Sequence, residues 1–174
     1  MRDIDLLRRI SERSALTVNL TITTLRPRLA RLLEPLAPCP DLRMGAVRTL
    51  RQAGIAAGVF VMPVLPGLTD RQEDLEALAQ AARDSDAKWL AASVLFLMPS
   101  SRKQVFPFLE EKFPRLMQRY RDWYERAVYA PESYRREISE RVASLRSKYG
   151  LGARPEARLR PEFAPAQQQL AFTL

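Results

Sequence analysis

The run Val59-Phe60-Val61-Met62-Pro63-Val64 continues into Leu65-Pro66-Gly67-Leu68-Thr69-Asp70. It reads as an apolar, β-branched strand that enters a Pro-Gly turn and then a helix. Open α/β sheets and α/β barrels bind their ligands where strands end in this way. Asp70-Arg71-Gln72-Glu73 is a capping-box pattern, so Thr69 or Asp70 is expected to cap the helix. Two features of the composition bound the chemistry such a site can do. The 174 residues contain no histidine and a single cysteine, Cys39. That removes imidazole acid–base catalysis, Ser-His-Asp triads, His-ligated zinc, an intramolecular disulfide and any all-cysteine metal site within one copy.

The elements that must position this junction follow from periodicity. Asp3 to Glu12 places Ile4, Leu6, Leu7 and Ile10 at helical spacing. Leu16 to Thr24 alternates in period two and predicts a strand. Its apolar face carries Leu16, Val18, Leu20 and Ile22, and its polar face Thr17, Asn19, Thr21 and Thr23. A short helix over Arg28–Leu36 closes in the Pro-rich turn Pro35–Pro40, and Asp41 caps a helix over Leu42–Ala53 that stops at Gly54. Ala56–Leu65 is a second strand, apolar on both faces as in a parallel sheet. A helix then runs to about Arg83, and Lys88–Leu97 is a third strand. This order predicts parallel α/β over residues 1–100.

From Ser100 the pattern becomes helical: Arg102–Lys112, then Pro114–Val128 with the stripe Leu116, Tyr120, Trp123, Tyr124, Ala127, Val128, then Glu132–Tyr149. Residues 101–149 form a helical extension, and 150–174, rich in Pro, Ala, Arg and Gln, are expected to be a disordered tail. One core plus a tail suits this length. No apolar run approaches the ~18 residues of a membrane span. Met1–Arg9 alternates charged and apolar residues, unlike a signal peptide, so the cytoplasm is the expected compartment. The net charge of +8 is uneven, +2 over residues 1–100 and +6 over 101–174.

Several of these residues recur together in a known order. Arg2-Asp3-Ile4-Asp5-Leu6-Leu7 is followed by Thr21-Ile22-Thr23-Thr24, Glu34-Pro35, Arg43, Ala53-Gly54-Ile55 and Pro63-Val64-Leu65-Pro66-Gly67-Leu68-Thr69-Asp70. Over residues 2–150 this resembles the second half of a radical S-adenosylmethionine (SAM) protein, of the branch related to spore photoproduct lyase and called DNA repair photolyases. The resemblance implies the C-terminal half of a partial (β/α)6 TIM-like barrel of about three parallel strands, with SAM across the strand ends and a 4Fe–4S cluster chelating its methionine end. The family's cluster-binding Cys-x3-Cys-x2-Cys lies after its first strand, whereas this chain matches from beyond the third. The cluster ligands are therefore missing, and Cys39 cannot replace three thiolates.

The same resemblance implies roles residue by residue. Thr21 and Thr23 stand where the family turns polar groups toward the SAM ribose or carboxylate; the bland reading is a polar strand face. Arg43 matches an arginine that pairs with the SAM carboxylate, a use that suits a guanidinium fork; the bland reading is a surface Arg, with Glu34 as pair or local cap. Pro63-x-Leu65-x-Gly67-x-x-Asp70 follows the family's Gly-x-Ile-x-Gly-x-x-Glu, which packs on adenine, and Pro66-Gly67 would bring backbone close to it. Leu95 is expected in the core.

A second hypothesis is a non-enzymatic module that binds nucleic acid or the bacterial replication sliding clamp. Arg115, Arg119, Arg121, Arg126, Arg135, Arg136 and Arg141 would track phosphates. At the C-terminus, Gln167, Leu170 and Phe172 resemble clamp-docking peptides, in which apolar anchors fill a groove beside a Gln amide. Other expected partners are a missing N-terminal half, or a split-gene product that brings the cysteines.

Overall fold

The structure is a computed structural model that describes residues 3–155. It is mixed α/β, built on a three-stranded parallel sheet in the order β1-β2-β3. Helix α1 (Ile4–Arg13) leads into β1 (Thr17–Thr21); α2 (Pro27–Leu33) and α3 (Pro40–Gln52) lead to β2 (Ala56–Val64); α4 (Gln72–Asp84) leads to β3 (Leu90–Val94). The helical extension is α5 (Pro99–Lys112), a 3₁₀ turn at Pro114–Leu116, α6 (Met117–Tyr124) and α7 (Glu132–Tyr149). Among the described residues no helix is long and apolar enough to cross a membrane.

One face of the sheet is the core. Ala57, Val59 and Val61 of β2 and Leu90 of β3 are buried there, and α3, α4 and α7 pack on that side with Val47, Leu50, Leu78, Ile138 and Val142. The other face is built differently. Gly58 makes room for the Trp89 indole, whose Nε1–H donates to Asn19 Oδ1 at 2.8 Å. Further along this inner face Thr21 and Ser93 are exposed, and Phe60, Met62 and Ala91 are half-buried.

Several element boundaries differ from those the sequence predicts, each for a local reason. The first strand ends at Thr21 and not at Thr24. Its last ladder bond runs from Ile22 N–H to the Phe60 carbonyl at 2.8 Å. Thr24 Oγ1 then accepts from Arg26 N–H at 3.2 Å and turns the chain into the Pro27 helix start. Helix α3 begins at Pro40, with Cys39 in the cap position, because proline suits the first helical residue. Asp70 does not cap α4: Arg71 holds the cap position, without a side-chain bond. The third strand is five residues, not ten, and α6 stops at Tyr124. Beyond it, the Arg102 guanidinium donates to the carbonyls of Glu125 and Ala127 at 2.7 and 3.1 Å and shapes a turn that leaves Ala127 exposed.

Candidate functional site

The strand ends carry two neighbouring clefts. One, of about 150 Å³, lies between the end of β1 and helices α2 and α3 and is lined by Thr23, Thr24, Arg31, Glu34, Cys39 and Arg43, among others. The second, of about 360 Å³, opens at the ends of β2 and β3 between Met62, Pro63, Ser93, Leu95, Phe96 and Ser101. The sequence reading missed Met62, Ser93, Phe96 and Ser101 in this role. Period-two alternation alone already placed Met62 and Ser93 on the face opposite the buried Val61 and Val94.

Glu34 does both things expected of it: it is the C-cap residue of α2, and its Oε2 accepts from Arg43 Nη1 at 3.0 Å, the same nitrogen donating to the Thr21 carbonyl at 2.7 Å. The guanidinium thus ties α3 to the end of β1. Thr21 is exposed at the strand end. Thr23, expected on the same polar face, is instead buried in the turn, because the strand has already ended.

Gly67 adopts φ +76°, a conformation that favours glycine. A Cβ there would meet Leu116 Cδ2 at 2.8 Å and Arg119 Nη1 at 3.2 Å. The close approach at Pro66-Gly67 is therefore to the helical extension, and Pro66 itself is buried. Thr69 Oγ1 accepts from Leu65 N–H at 2.8 Å and holds this turn closed. Leu95 is buried in the core, as expected.

Asp70 reaches away from the clefts. Its Oδ2 accepts from the Tyr134 hydroxyl at 2.7 Å, and its carbonyl from Arg141 Nη1 at 3.2 Å. Burial raises the pKa values of Tyr120, Tyr124 and Tyr134 above the ordinary phenol range, and the Asp70 carboxylate adds to the shift at Tyr134. A phenol whose pKa rises on folding stabilises the fold fully below the unfolded value of about 10. That contribution is lost as pH climbs above it, since the unfolded chain then releases protons that the folded one keeps. Unfolding free energy, measured by urea titration, is expected to be level from neutrality to about pH 9 and to fall above about pH 10. In a Tyr134→Phe variant the fall should be shallower; an identical slope would contradict this account.

Five of the seven arginines named for phosphate tracking have side-chain partners in the structure. Arg121 lies 3.4 Å from Glu110, Arg136 lies 3.9 Å from Glu140, and Arg141 pairs with Glu137. Arg119 stacks over Trp123 at 5.8 Å, and Arg135 over Tyr129 at 5.5 Å. Gln167, Leu170, Phe172 and the tail from residue 156 lie outside the described residues. Among the described residues no group of three or more His, Cys, Asp or Glu side chains is placed to hold a metal ion.

No protein-family model matches the chain, and no solved structure matches it. Its relatives among curated proteins are uncharacterized. One from Mycobacterium tuberculosis is 35% identical over 150 residues, covering 86% of this chain and 44% of its own length, and one from Mycobacterium bovis aligns identically. A protein of Methanocaldococcus jannaschii is 34% identical over 70 residues, covering 40% of this chain and 26% of its own. The chain therefore spans less than half the length of the curated relatives it matches.

Proposed function

We propose that this chain is the C-terminal half of a radical SAM enzyme of the spore photoproduct lyase-like branch, a half of a partial (β/α)6 barrel that works together with a cluster-bearing half. The observation that carries this reading is the uncovered inner face of the sheet. Helices pack on one side only, while Thr21, Phe60, Met62, Ala91 and Ser93 stand open or half-open on the other. Among the described residues β1 also ends the sheet with an unpaired edge. A sheet with an open face and edge calls for a partner. The greater length of the relatives agrees with one.

The residues present do not fit a 4Fe–4S cluster. One cysteine and no histidine supply too few soft ligands, so we assign no cluster chemistry to this chain and place the Cys-x3-Cys-x2-Cys loop in polypeptide outside these 174 residues. The clefts fit SAM better. The larger one has apolar walls from Met62, Pro63, Leu95 and Phe96 and hydroxyls from Ser93 and Ser101, which suits an adenosine group. Thr23 and Arg43 border the smaller cleft, where Arg43, also bonded to the Thr21 carbonyl, would hold the SAM carboxylate in place of Glu34. When bound, SAM would supply a 5′-deoxyadenosyl group for hydrogen abstraction.

Expressed alone under anaerobic conditions with iron and sulfide, the chain should bind no cluster. Co-expressed with the polypeptide encoded directly upstream, it should co-purify with it and with iron. An upstream segment without the cysteine motif, or a pair that assembles without iron, would overturn the reading.

A further inference from the structure

A third hollow, of about 270 Å³, lies between α2, the turn that follows β2, and α5. Leu68, Leu95, Leu109 and Tyr120 line it and are themselves buried, so they form its floor. Leu32 of α2 and Gln104 of α5 line it and are exposed, which puts them at the rim. Among the described residues no lining side chain is charged, and only Gln104 and Tyr120 carry a polar group. Two bonds fix the backbone around it. Thr69 Oγ1 accepts from Leu65 N–H at 2.8 Å, and the Tyr124 hydroxyl donates to the Leu95 carbonyl at 2.9 Å.

The floor carries a second anomaly. The Tyr120 hydroxyl is buried and has no hydrogen-bond partner among the described residues, whereas Tyr124, one turn later, has one. A buried hydroxyl without a partner has lost its hydration for nothing in return. Apolar walls that face open space likewise forgo the contacts a close-packed interior would give them. Both losses fall at one place, and one ligand can recover both. Water suits the place poorly. A buried water makes about two to four hydrogen bonds, and beside Tyr120 the floor offers only leucines.

The chemistry of the lining selects the class of ligand. A carboxylate, phosphate or ammonium group would be desolvated there without a counter-charge. Burial holds the Tyr120 phenol protonated, so it acts as a donor and calls for an acceptor.

We propose that this hollow is a binding site for a small, uncharged, largely apolar molecule bearing a carbonyl or ether oxygen, which accepts a hydrogen bond from Tyr120. The leucine walls bind the apolar body, and the phenol fixes its orientation. The site shares only Leu95 with the larger cleft and no residue with the smaller one. It therefore stands independently of the SAM reading.

Two probes that differ in one oxygen-bearing group, toluene and acetophenone, test this on the full chain without SAM or iron. Binding is followed through the methyl NMR signals of Leu68 and Leu109, which both probes should shift in the wild type. In Tyr120→Phe the affinity for acetophenone should fall about fivefold or more, the effect of one hydrogen bond. Toluene should bind within about twofold of wild type, which also shows that the variant keeps the hollow intact. Tyr120→Phe should unfold at the same urea concentration as the wild type or a higher one, because it removes a group that has no partner. Leu68 and Leu109 signals that neither probe moves would overturn the proposal. So would an acetophenone affinity that survives Tyr120→Phe, or a clear loss of stability in that variant, which would mean that the hydroxyl already has a partner.

Discussion

Gly58→Ala should cost this fold about 1–3 kcal/mol, the usual price of overpacking a filled site. Gly58→Val should cost more. A Cβ at Gly58 would stand 2.2–2.4 Å from Nε1, Cε2 and Cδ1 of Trp89, a ring that is 3% exposed and fixed by its bond to Asn19. The indole cannot withdraw without losing that bond and uncovering the inner face. The contact can be isolated with a double-mutant cycle. In a Trp89→Leu background the clashing ring atoms are gone, and Gly58→Ala should cost less than about 0.5 kcal/mol, since alanine also suits the extended backbone better than glycine. Urea unfolding of the four proteins measures this directly. If the two substitutions simply add, the close approach of Trp89 to Gly58 is not what demands glycine.

The second large effect is expected at Tyr124. Its hydroxyl donates to the Leu95 carbonyl at 2.9 Å in a fully buried setting, and its ring lies 5.7 Å from that of Tyr120. This contact ties the helical extension to the end of the third strand, beside the larger cleft. Tyr124→Phe keeps the ring and leaves a buried carbonyl unpaired, which should cost about 1–3 kcal/mol. Tyr124→Ala also opens a cavity and should cost about 3–5 kcal/mol. Thermal unfolding followed by circular dichroism distinguishes the two. A Tyr124→Phe variant as stable as the wild type would show that the ring alone matters and that the hydroxyl is not a tie.

How much of this was readable from residues varies along the chain. The second strand was legible almost to the residue, because an apolar, β-branched run between Gly54 and Pro66-Gly67 has clear borders. The first was overextended because Thr23 and Thr24 continue the alternation that defines a strand. The ladder nevertheless ends where Thr24 bonds to Arg26 and bends the chain toward Pro27. The role of Asp70 was misread for a related reason. A carboxylate three residues before a glutamate is a fair capping signal, but a half-buried phenol from α7, 64 residues later, offers Asp70 a better partner. Gly67 was recognised as a place where backbone must be approached closely, while the identity of what approaches it, Leu116 and Arg119, lies about fifty residues away in the chain.

By itself the sequence determined the class of fold, the helical character of the extension, and the absence of histidine and of a second cysteine, with the chemistry those absences remove. These depend on periodicity and composition, which are local or additive quantities. Only the tertiary structure decided that Glu34 occupies the Arg43 guanidinium, that Met62, Ser93, Phe96 and Ser101 share a cleft, that Trp89 rests on Gly58, and that the inner face of the sheet stands open. Each of these is a contact between residues far apart along the chain. Such contacts are set by which faces the packed helices leave uncovered, and no local pattern encodes that outcome.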